Sequence, residues 1–193
     1  MKKDPRCIIN WMMKLIIDHR KSYFNGVEPL IYLESERENE SAKYMFENGW
    51  IPYYEKDQEF WYQTRSSRLK INQISNKRKK ELSKIKISSN TSNFNIQSPL
   101  SFDFYNSGNF EDFYFDDVFW GRVIYIEDQV MFAIMNIFRD KKSYGTLSYY
   151  HLLQKFFGKY EFLYITDFFD EFNYKKKLPG FQFWDGKEWI SNI

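Results

Sequence analysis

The stretch from Arg122 to Ile165, RVIYIEDQVMFAIMNIFRDKKSYGTLSYYHLLQKFFGKYEFLYI, decides the fold. Its first part holds two apolar runs separated by EDQ (127–129), which predicts an antiparallel hairpin buried on at least one face. A loop over 139–146 and a helix of about three turns follow, and KYEFLYIT (159–166) predicts another strand. This order indicates a mixed α/β sheet in which a loop leads directly into the start of a helix.

The segments before this stretch supply further elements. A strand is predicted in EPLIYLESE (28–36), and a helix of about three turns that stops at Gly49 is predicted in SERENESAKYMFENGW (35–50). DQEFWYQTRSSRLKI (57–71) predicts a strand, and NKRKKELSKI (76–85) predicts a helix with Glu81 paired to Lys84. The polar, turn-rich SSNTSNFNIQSPLS (88–101) predicts a loop.

The two ends of the chain carry weaker patterns. The apolar positions of the N-terminal run, Ile8, Trp11, Met12, Leu15 and Ile16, recur at helical spacing. They predict an amphipathic helix that packs on the core, with a membrane surface or a partner helix as the alternative; the run is too short to span a bilayer. At the other end, FFDEFNYKKKLPGFQFWDGKEWI (168–190) predicts a crossover, a break at Pro179 and a hairpin turn at Asp185-Gly186.

Composition limits the class of protein. The 193 residues suit one domain, and 21% aromatic content with few glycines and prolines excludes fibrous and disordered classes. A net charge of +2 does not indicate a polyanion binder. The single cysteine, Cys7, excludes an internal disulfide framework and a cysteine-only metal site, which predicts a reducing, cytoplasmic location.

Charge is distributed unevenly along the chain. Residues 65–88 are dense in lysine and arginine and hold one acid, whereas FDFYNSGNFEDFYFDD (102–117) holds five acids and no base. The two segments are expected to face different partners or each other. The acidic segment is either an insertion whose aromatic residues pack on the sheet or a surface that attracts a basic peptide.

The loop before the central helix is a candidate anion site. Backbone N–H groups at a helix start have no partner within the helix and attract phosphate or carboxylate. Gly145 permits a close approach, Thr146 or Ser143 can cap the helix, and Lys141 and Lys142 add positive charge. The alternative is that Gly145 is an ordinary turn residue.

Four segments resemble the aminoacyl-tRNA–protein transferases, the arginyl and bacterial leucyl enzymes. KSYGTLSYYHLLQKFFGKYEFLYI (142–165) is similar to the family's Ser-x-Gly-Thr element, helix and Tyr-Leu-Tyr-Leu strand, and NYKKKLPGFQFWDGKEW (173–189) is similar to its closing Tyr-Lys segment. WYQTRSSRLKINQISNKRKKEL (61–82) resembles its Arg-x-Ser-Arg run and basic helix, and ENGWIPY (47–53) resembles the Gly-Trp before that run. The family's cysteine pairs are absent, and the segment before Tyr174 is shortened and lacks the family's Gly-Tyr and Lys-Met pairs.

The resemblance implies one GNAT-like α/β domain over residues 1–193, with a mixed, mostly antiparallel sheet flanked by helices. In it, N-terminal helices and a strand occupy 1–60, a loop and acidic aromatic insertion occupies 89–117, and the best-matched core is 118–193. The implied activity is transfer of Arg or Leu from charged tRNA to the N-terminal amine of an acceptor protein. Such aminolysis needs neither a cofactor nor a metal, and no membrane partner is expected.

The resemblance also implies a set of site residues. The donor-binding residues are Ser143, Gly145, Thr146 and Tyr164, with core packing as the alternative for Tyr164. The catalytic candidates lie in the matching Tyr-Lys segment and just past the preceding strand, where sites in α/β sheets gather; solvated lysines and turn-capping acids are the alternatives. These candidates are Tyr174, Lys175, Asp167 and Asp170.

A basic face is predicted to track the tRNA backbone, with binding that weakens as salt rises. It consists of Arg65, Arg68, Lys77, Arg78, Lys79 and Lys80, and an ordinary solvated helix face is the alternative. Both histidines, His19 and His151, are interpreted as structural. Two rival functions stay open: an acyl-CoA-dependent N-acyltransferase, against which the missing glycine-rich pattern argues, and a catalytically silent RNA-binding adaptor.

Overall fold

The computed structural model describes residues 14–17, 31–35, 40–55, 58–63, 66–91, 109–135, 144–165 and 170–191. The strands of the first half are β1 (Lys14–Ile17), β2 (Ile31–Ser35), β3 (Trp50–Glu55), β4 (Gln58–Gln63), β5 (Ser67–Lys70) and β6 (Ile87–Asn90), with helices α1 (Ala42–Glu47) and α2 (Asn76–Leu82). The second half contains β7 (Asn109–Phe115), β8 (Val118–Ile126), β9 (Gln129–Met135), α3 (Tyr144–Phe156), β10 (Phe162–Ile165), the 3-10 helix η1 (Asp170–Lys177), β11 (Phe181–Trp184) and β12 (Trp189–Ser191).

The strands form two sheets. Four strands pair in the order β1-β2-β4-β3, and eight pair in the order β12-β11-β5-β10-β9-β8-β7-β6. In the larger sheet β9 and β10 run parallel, and every other pairing of described strands is antiparallel. A parallel pair needs a crossover, and α3 provides it. The prediction of an α/β fold with a mixed, mostly antiparallel sheet is therefore confirmed.

The predicted hairpin is present as β8 and β9, which turn at Glu127 and Asp128. Glu127 lies in the left-handed region with φ 52°. The last hairpin, β11–β12, is also confirmed: Asp185 accepts hydrogen bonds from the backbone N–H groups of Lys187 and Glu188. In both hairpins the turn lies at the polar residues that the sequence indicated.

Each face of the larger sheet has its own apolar core. Along β10 the side chains alternate, with Leu163 and Ile165 in a core that contains α3, and Phe162 and Tyr164 against a core that contains α1. The side of the larger sheet that carries the first core is called the α3 face. Leu82 from α2 and Leu178 after η1 also belong to this core. The side that carries the second core is called the α1 face, where Phe46 and Trp61 pack on the sheet.

Helix α1 is shorter than predicted but ends where expected. It begins after Ser41, whose hydroxyl accepts a hydrogen bond from the backbone N–H of Tyr44, and it spans six residues. Gly49 follows with φ +76°, and a Cβ there would meet the ring of Trp184. The predicted stop at Gly49 is confirmed, because this position needs both the left-handed backbone and the missing side chain.

Several predictions for the first half and the acidic segment are wrong. Residues 14–17 form β1, paired antiparallel to β2, and not the end of an amphipathic helix; short apolar runs do not distinguish the two. The predicted strand over 57–71 is two strands, β4 and β5, in different sheets. Residues 88–90, predicted as loop, belong to β6, and residues 109–115, predicted as insertion, are β7 within the larger sheet.

A buried ion pair joins β7 to β8. Asp112 accepts hydrogen bonds from Nε and Nη2 of Arg122 at 2.6 and 2.8 Å, and both side chains are fully buried. The guanidinium also lies over the ring of Phe110, with its Cζ 3.8 Å from the ring centroid. Because Phe110 belongs to the α1 core, this pair lies on the α1 face of the sheet.

Candidate active site

The parallel pair defines one end of the sheet where several functional candidates gather. In the register of this pair Ile165, the last residue of β10, lies opposite Phe132, so β9 continues past β10 to Met135. Helix α3 follows β9, and η1 follows β10, in chain order. Sites in α/β sheets form outside the carboxyl ends of parallel strands, and here that end leads into both helices.

Gly145 is the second residue of α3 and not a turn residue before it. Its φ lies outside the left-handed region, and a Cβ there would meet no described atom within 4 Å. Its carbonyl accepts a hydrogen bond from the buried hydroxyl of Ser148 at 2.6 Å. The backbone therefore does not need glycine at this position, which removes the turn explanation and leaves open a role in contact with a ligand.

The start of α3 is fixed to the turn between β7 and β8. The hydroxyl of Tyr144, the first helical residue, donates to Asp116 at 2.6 Å. Asp116 and Asp117 form that turn with φ values of 48° and 65°, a conformation that Asp tolerates better than most residues. Lys86, just before β6, pairs with Asp117 at 2.8 Å. The basic and acidic segments thus face each other at this point.

Lys175 and Tyr174 lie at the end of η1, beside α3. Lys175 is 4% exposed, and Tyr174 packs against the α3 core. The hydroxyl of Tyr174 is hydrogen-bonded to that of Tyr149, which is buried one turn after Gly145 on α3. The predicted Tyr-Lys segment and the first two turns of α3 are therefore in contact.

The buried phenols of this contact stay protonated near neutral pH. Burial raises the pKa of Tyr149 well above its ordinary value of 10, and its proximity to Tyr174 adds to the effect. Burial also raises the pKa of Tyr174, although its hydrogen bond to Tyr149 acts in the opposite direction. Both groups can therefore donate or accept hydrogen bonds, but neither is a base.

Tyr164 and Arg68 lie elsewhere, on the α1 face. The ring of Tyr164 stacks on Phe46 with centroids 4.1 Å apart, and burial raises its pKa to about 12. The Arg68 guanidinium lies between Phe162 and Trp189, 3.7 and 4.2 Å from their ring centroids. The structure thus does not bring Tyr164 together with Gly145 and Thr146, nor Arg68 together with the lysines of α2.

The remaining basic residues share α2, which packs on the α3 face. Lys77 and Lys80 are exposed, and Lys79 is half-buried. Arg78 pairs with Glu81 at 2.6 Å, where the sequence predicted a pair of Glu81 with Lys84. The Arg78 guanidinium also lies 4.7 Å from the ring centroid of Tyr150 on α3. Arg78 therefore fastens α2 to α3, and the three lysines are left as the basic surface of the helix.

Four candidates cannot be placed. Arg65, Ser143 and Asp167 lie outside the described residues, as do Lys141 and Lys142 of the predicted anion site. The backbone of Asp170 begins η1, but its side chain is outside the description. Among the described residues, no group of three or more His, Cys, Asp or Glu side chains could hold a metal ion.

Tyr149 was not among the site residues predicted from the sequence. Its signal was available, because Tyr149 follows Gly145 by four residues and so lies one turn further on the same face of α3. The buried Asp112–Arg122 pair was not predicted either. Asp112 is one of five acids in residues 102–117, and without the strand pairing it cannot be distinguished from an acid at the surface. His151, by contrast, is surrounded by aromatic rings, as a structural interpretation expects: Phe113, Phe115 and Trp120.

We expect His151 to make stability depend on pH. Burial, and secondarily Lys155, lowers its pKa to about 4 from an ordinary value of 6.5. Because the unfolded chain takes up the proton first, the free energy of unfolding should fall as pH drops from 6.5 toward 4, by up to about 3 kcal/mol. Chemical denaturation across this range should show a smaller loss for His151→Phe than for the wild type; equal losses would contradict the assignment.

The chain was compared with protein-family models and with curated proteins. No protein-family model matches it, and no curated protein matches it. No helix in the described part of the chain is long and apolar enough to cross a membrane.

Proposed function

We propose that this chain is an aminoacyl-tRNA–protein transferase with a GNAT-like domain, which moves Arg or Leu from charged tRNA to the N-terminal amine of an acceptor protein. One observation carries the proposal. The hydrogen bond between Tyr149 and Tyr174 joins two segments that resemble the transferases, residues 142–165, which contain α3, and residues 173–189, which contain the Tyr-Lys pair of η1. Both lie on the α3 face, beyond the carboxyl end of the parallel pair.

The reaction is aminolysis of an ester. The acceptor nitrogen forms a bond to the aminoacyl carbonyl carbon, the ester carbon–oxygen bond breaks, and the proton of the amine passes to the ribose oxygen. The steps that need help are stabilisation of the carbonyl oxygen as it becomes negative and protonation of the leaving oxygen. In this proposal the buried amine of Lys175, in its protonated form, stabilises the carbonyl oxygen, and the protonated phenol of Tyr174 supplies the proton to the leaving oxygen.

The start of α3 is the proposed donor pocket. The first backbone N–H groups of a helix attract an anionic group, and α3 spans 13 residues. Gly145 and Thr146 belong to this first turn, and both are half-exposed. Tyr164 drops out of the donor pocket in this proposal because its ring lies on the opposite face. Asp167 and Asp170 are retained as proposed partners of the acceptor amine.

The lysines of α2 are the proposed contacts with the tRNA backbone. Lys77, Lys79 and Lys80 share the α3 face with the proposed pocket, because α2 packs against α3 through Arg78 and Tyr150. Their contacts would be with phosphates and not with bases, so tRNA binding should weaken steeply as salt rises. Arg68 has no part in this surface, since its guanidinium is held between two aromatic rings on the other face.

The test is a transfer assay with three donors. The full chain is incubated with radiolabelled Arg-tRNA, Leu-tRNA or acetyl-CoA and with peptides that carry an acidic or a basic N-terminus. Label should reach a peptide from one of the charged tRNAs. Label from acetyl-CoA alone would favour the acyl-CoA enzyme. Salt-sensitive binding of tRNA without any transfer would favour the adaptor, and either result would overturn the proposal.

Gly145→Ala separates the two roles considered for this glycine. Since the added Cβ meets no described atom and alanine favours helices, stability should stay within about 1 kcal/mol of the wild type. If the donor approaches the backbone here, the methyl group should lower transfer by about tenfold or more. Thermal unfolding and the transfer rate are measured on the same preparation. Unchanged transfer would remove Gly145 from the donor pocket.

A further inference from the structure

A cavity lies on the α3 face, between α2, α3 and β6. It has a volume of about 490 Å³, within the range of roughly 300–1,000 Å³ typical of small-molecule sites. Its lining comprises Lys79 and Leu82 from α2, Ser83 just after it, Ile87 from β6, and His151, Gln154 and Lys155 from α3. These α3 residues follow Tyr144 by at least seven positions, about 10 Å along the helix, so this cavity is separate from the proposed donor pocket.

The charge around this cavity is positive. Lys155 pairs with Glu111 at 2.7 Å, and that carboxylate also accepts a hydrogen bond from Tyr125. Glu81, the acid of α2, is paired with Arg78. Lys79 has no ion pair with any described residue, so no acid in the described part of the chain compensates its positive charge at the cavity. An anionic group is therefore favoured beside Lys79, and Lys155, although paired with Glu111, is the second cation of the lining.

The other side chains suit a heterocycle. Leu82 and Ile87 supply an apolar wall beside the lysines, which a nucleobase would cover and an inorganic anion would not. Gln154 presents an exposed amide, which can give and accept a hydrogen bond at the same time, as adenine requires. The neutral imidazole of His151 adds a second such group at the cavity wall.

We propose that this cavity binds a nucleoside phosphate, with the phosphate beside Lys79 and Lys155 and the base between Leu82, Ile87 and Gln154. Two sources share this chemistry: a free nucleotide and one nucleotide of an RNA chain. Lys79 is shared with the proposed tRNA contacts, but none of the proposed catalytic or donor-pocket residues lines the cavity, so binding here does not depend on the transfer reaction.

The experiment is calorimetric titration of the full chain with adenosine monophosphate, inorganic phosphate and adenosine. Adenosine monophosphate should bind at least tenfold more tightly than either fragment. Lys79→Gln and Gln154→Ala should each weaken its binding about tenfold, whereas Lys84→Gln, which alters an exposed lysine just after α2 that does not line the cavity, should change it less than twofold. Saturation by phosphate alone with equal affinity, or equal losses in Lys79→Gln and Lys84→Gln, would overturn the site.

A competition arm identifies the source. If a short oligoadenylate binds more tightly than adenosine monophosphate and displaces it, and Lys79→Gln weakens both, the nucleotide belongs to an RNA chain. If adenosine monophosphate binds and the oligonucleotide does not displace it, the ligand is a free nucleotide. Binding of neither compound overturns the inference. Lys175→Met should bind adenosine monophosphate as the wild type does, so a failure of transfer and a failure of this site are distinguishable.

Discussion

Replacing Arg122 by methionine should lower the free energy of unfolding by about 3–5 kcal/mol, because it leaves the carboxylate of Asp112 buried without its cation. Both side chains are fully buried, and two hydrogen bonds of 2.6 and 2.8 Å join them. The variant also loses the contact of the guanidinium with Phe110. Chemical denaturation at neutral pH measures the loss, and a change below about 1 kcal/mol would contradict the expected cost of a buried unpaired charge.

Two controls separate the buried charge from charge removal in general. Lys86→Met breaks an ion pair of similar length, to Asp117, but both of these side chains are about two-thirds exposed, so stability should change by less than about 1 kcal/mol. The double variant Asp112→Leu/Arg122→Met removes both buried charges and should recover most of the stability lost by Arg122→Met. The single variant Asp112→Leu completes the comparison. If the losses of Arg122→Met and Asp112→Leu simply add in the double variant, the two side chains are not coupled and the explanation fails.

The central part of the fold could be predicted because its signals are local. The hairpin β8–β9 consists of two apolar runs joined by a short polar turn, and α3 carries apolar residues at helical spacing. A helix that connects two strands of one sheet is the usual crossover between parallel strands, and β9 and β10, which α3 connects, pair in parallel. Each of these signals lies within one short segment of the sequence and does not depend on contacts between distant segments.

The partners of the acidic residues in 102–117 could not be predicted from the local sequence. The four acids of this segment within the described residues all have partners inside the chain, so the idea of a surface that attracts a basic peptide has no support from them. Glu111 pairs with Lys155, Asp112 with Arg122, Asp116 with Tyr144, and Asp117 with Lys86. These partners lie up to 44 residues away, and only the sheet order brings them together.

The position of Arg68 relative to the lysines of α2 could not be predicted from the local sequence either. Arg68 and Lys80 are 12 residues apart and carry the same charge, which suggested a single surface. Arg68 lies in β5, where its side chain points to the α1 face, whereas α2 packs on the α3 face. Successive side chains of a strand point to opposite faces of the sheet. A shift of one residue in the register of β5 would therefore move the Arg68 guanidinium to the other face.

The largest effect on activity is expected at Lys175. Lys175→Met keeps the length and much of the volume of the side chain but removes the ammonium, so transfer should fall by about 10²–10³-fold, as when one donor to a developing oxyanion is lost. Binding of charged tRNA should stay within about twofold, because the tRNA contacts are assigned to α2. Single-turnover transfer and filter binding measure the two quantities separately.

The control for this prediction lies two residues away. Lys177 is exposed at the end of the same 3-10 helix, so Lys177→Met removes the same charge without reaching the buried contact and should keep full transfer. Because a buried lysine can also be needed for folding, Lys175→Arg provides a second test: it keeps the charge, but a planar guanidinium cannot take the place of a compact ammonium, so transfer should fall in a folded protein. Full transfer in either folded Lys175 variant would remove this residue from the active site, since a group that stabilises the reacting oxygen cannot be replaced without cost.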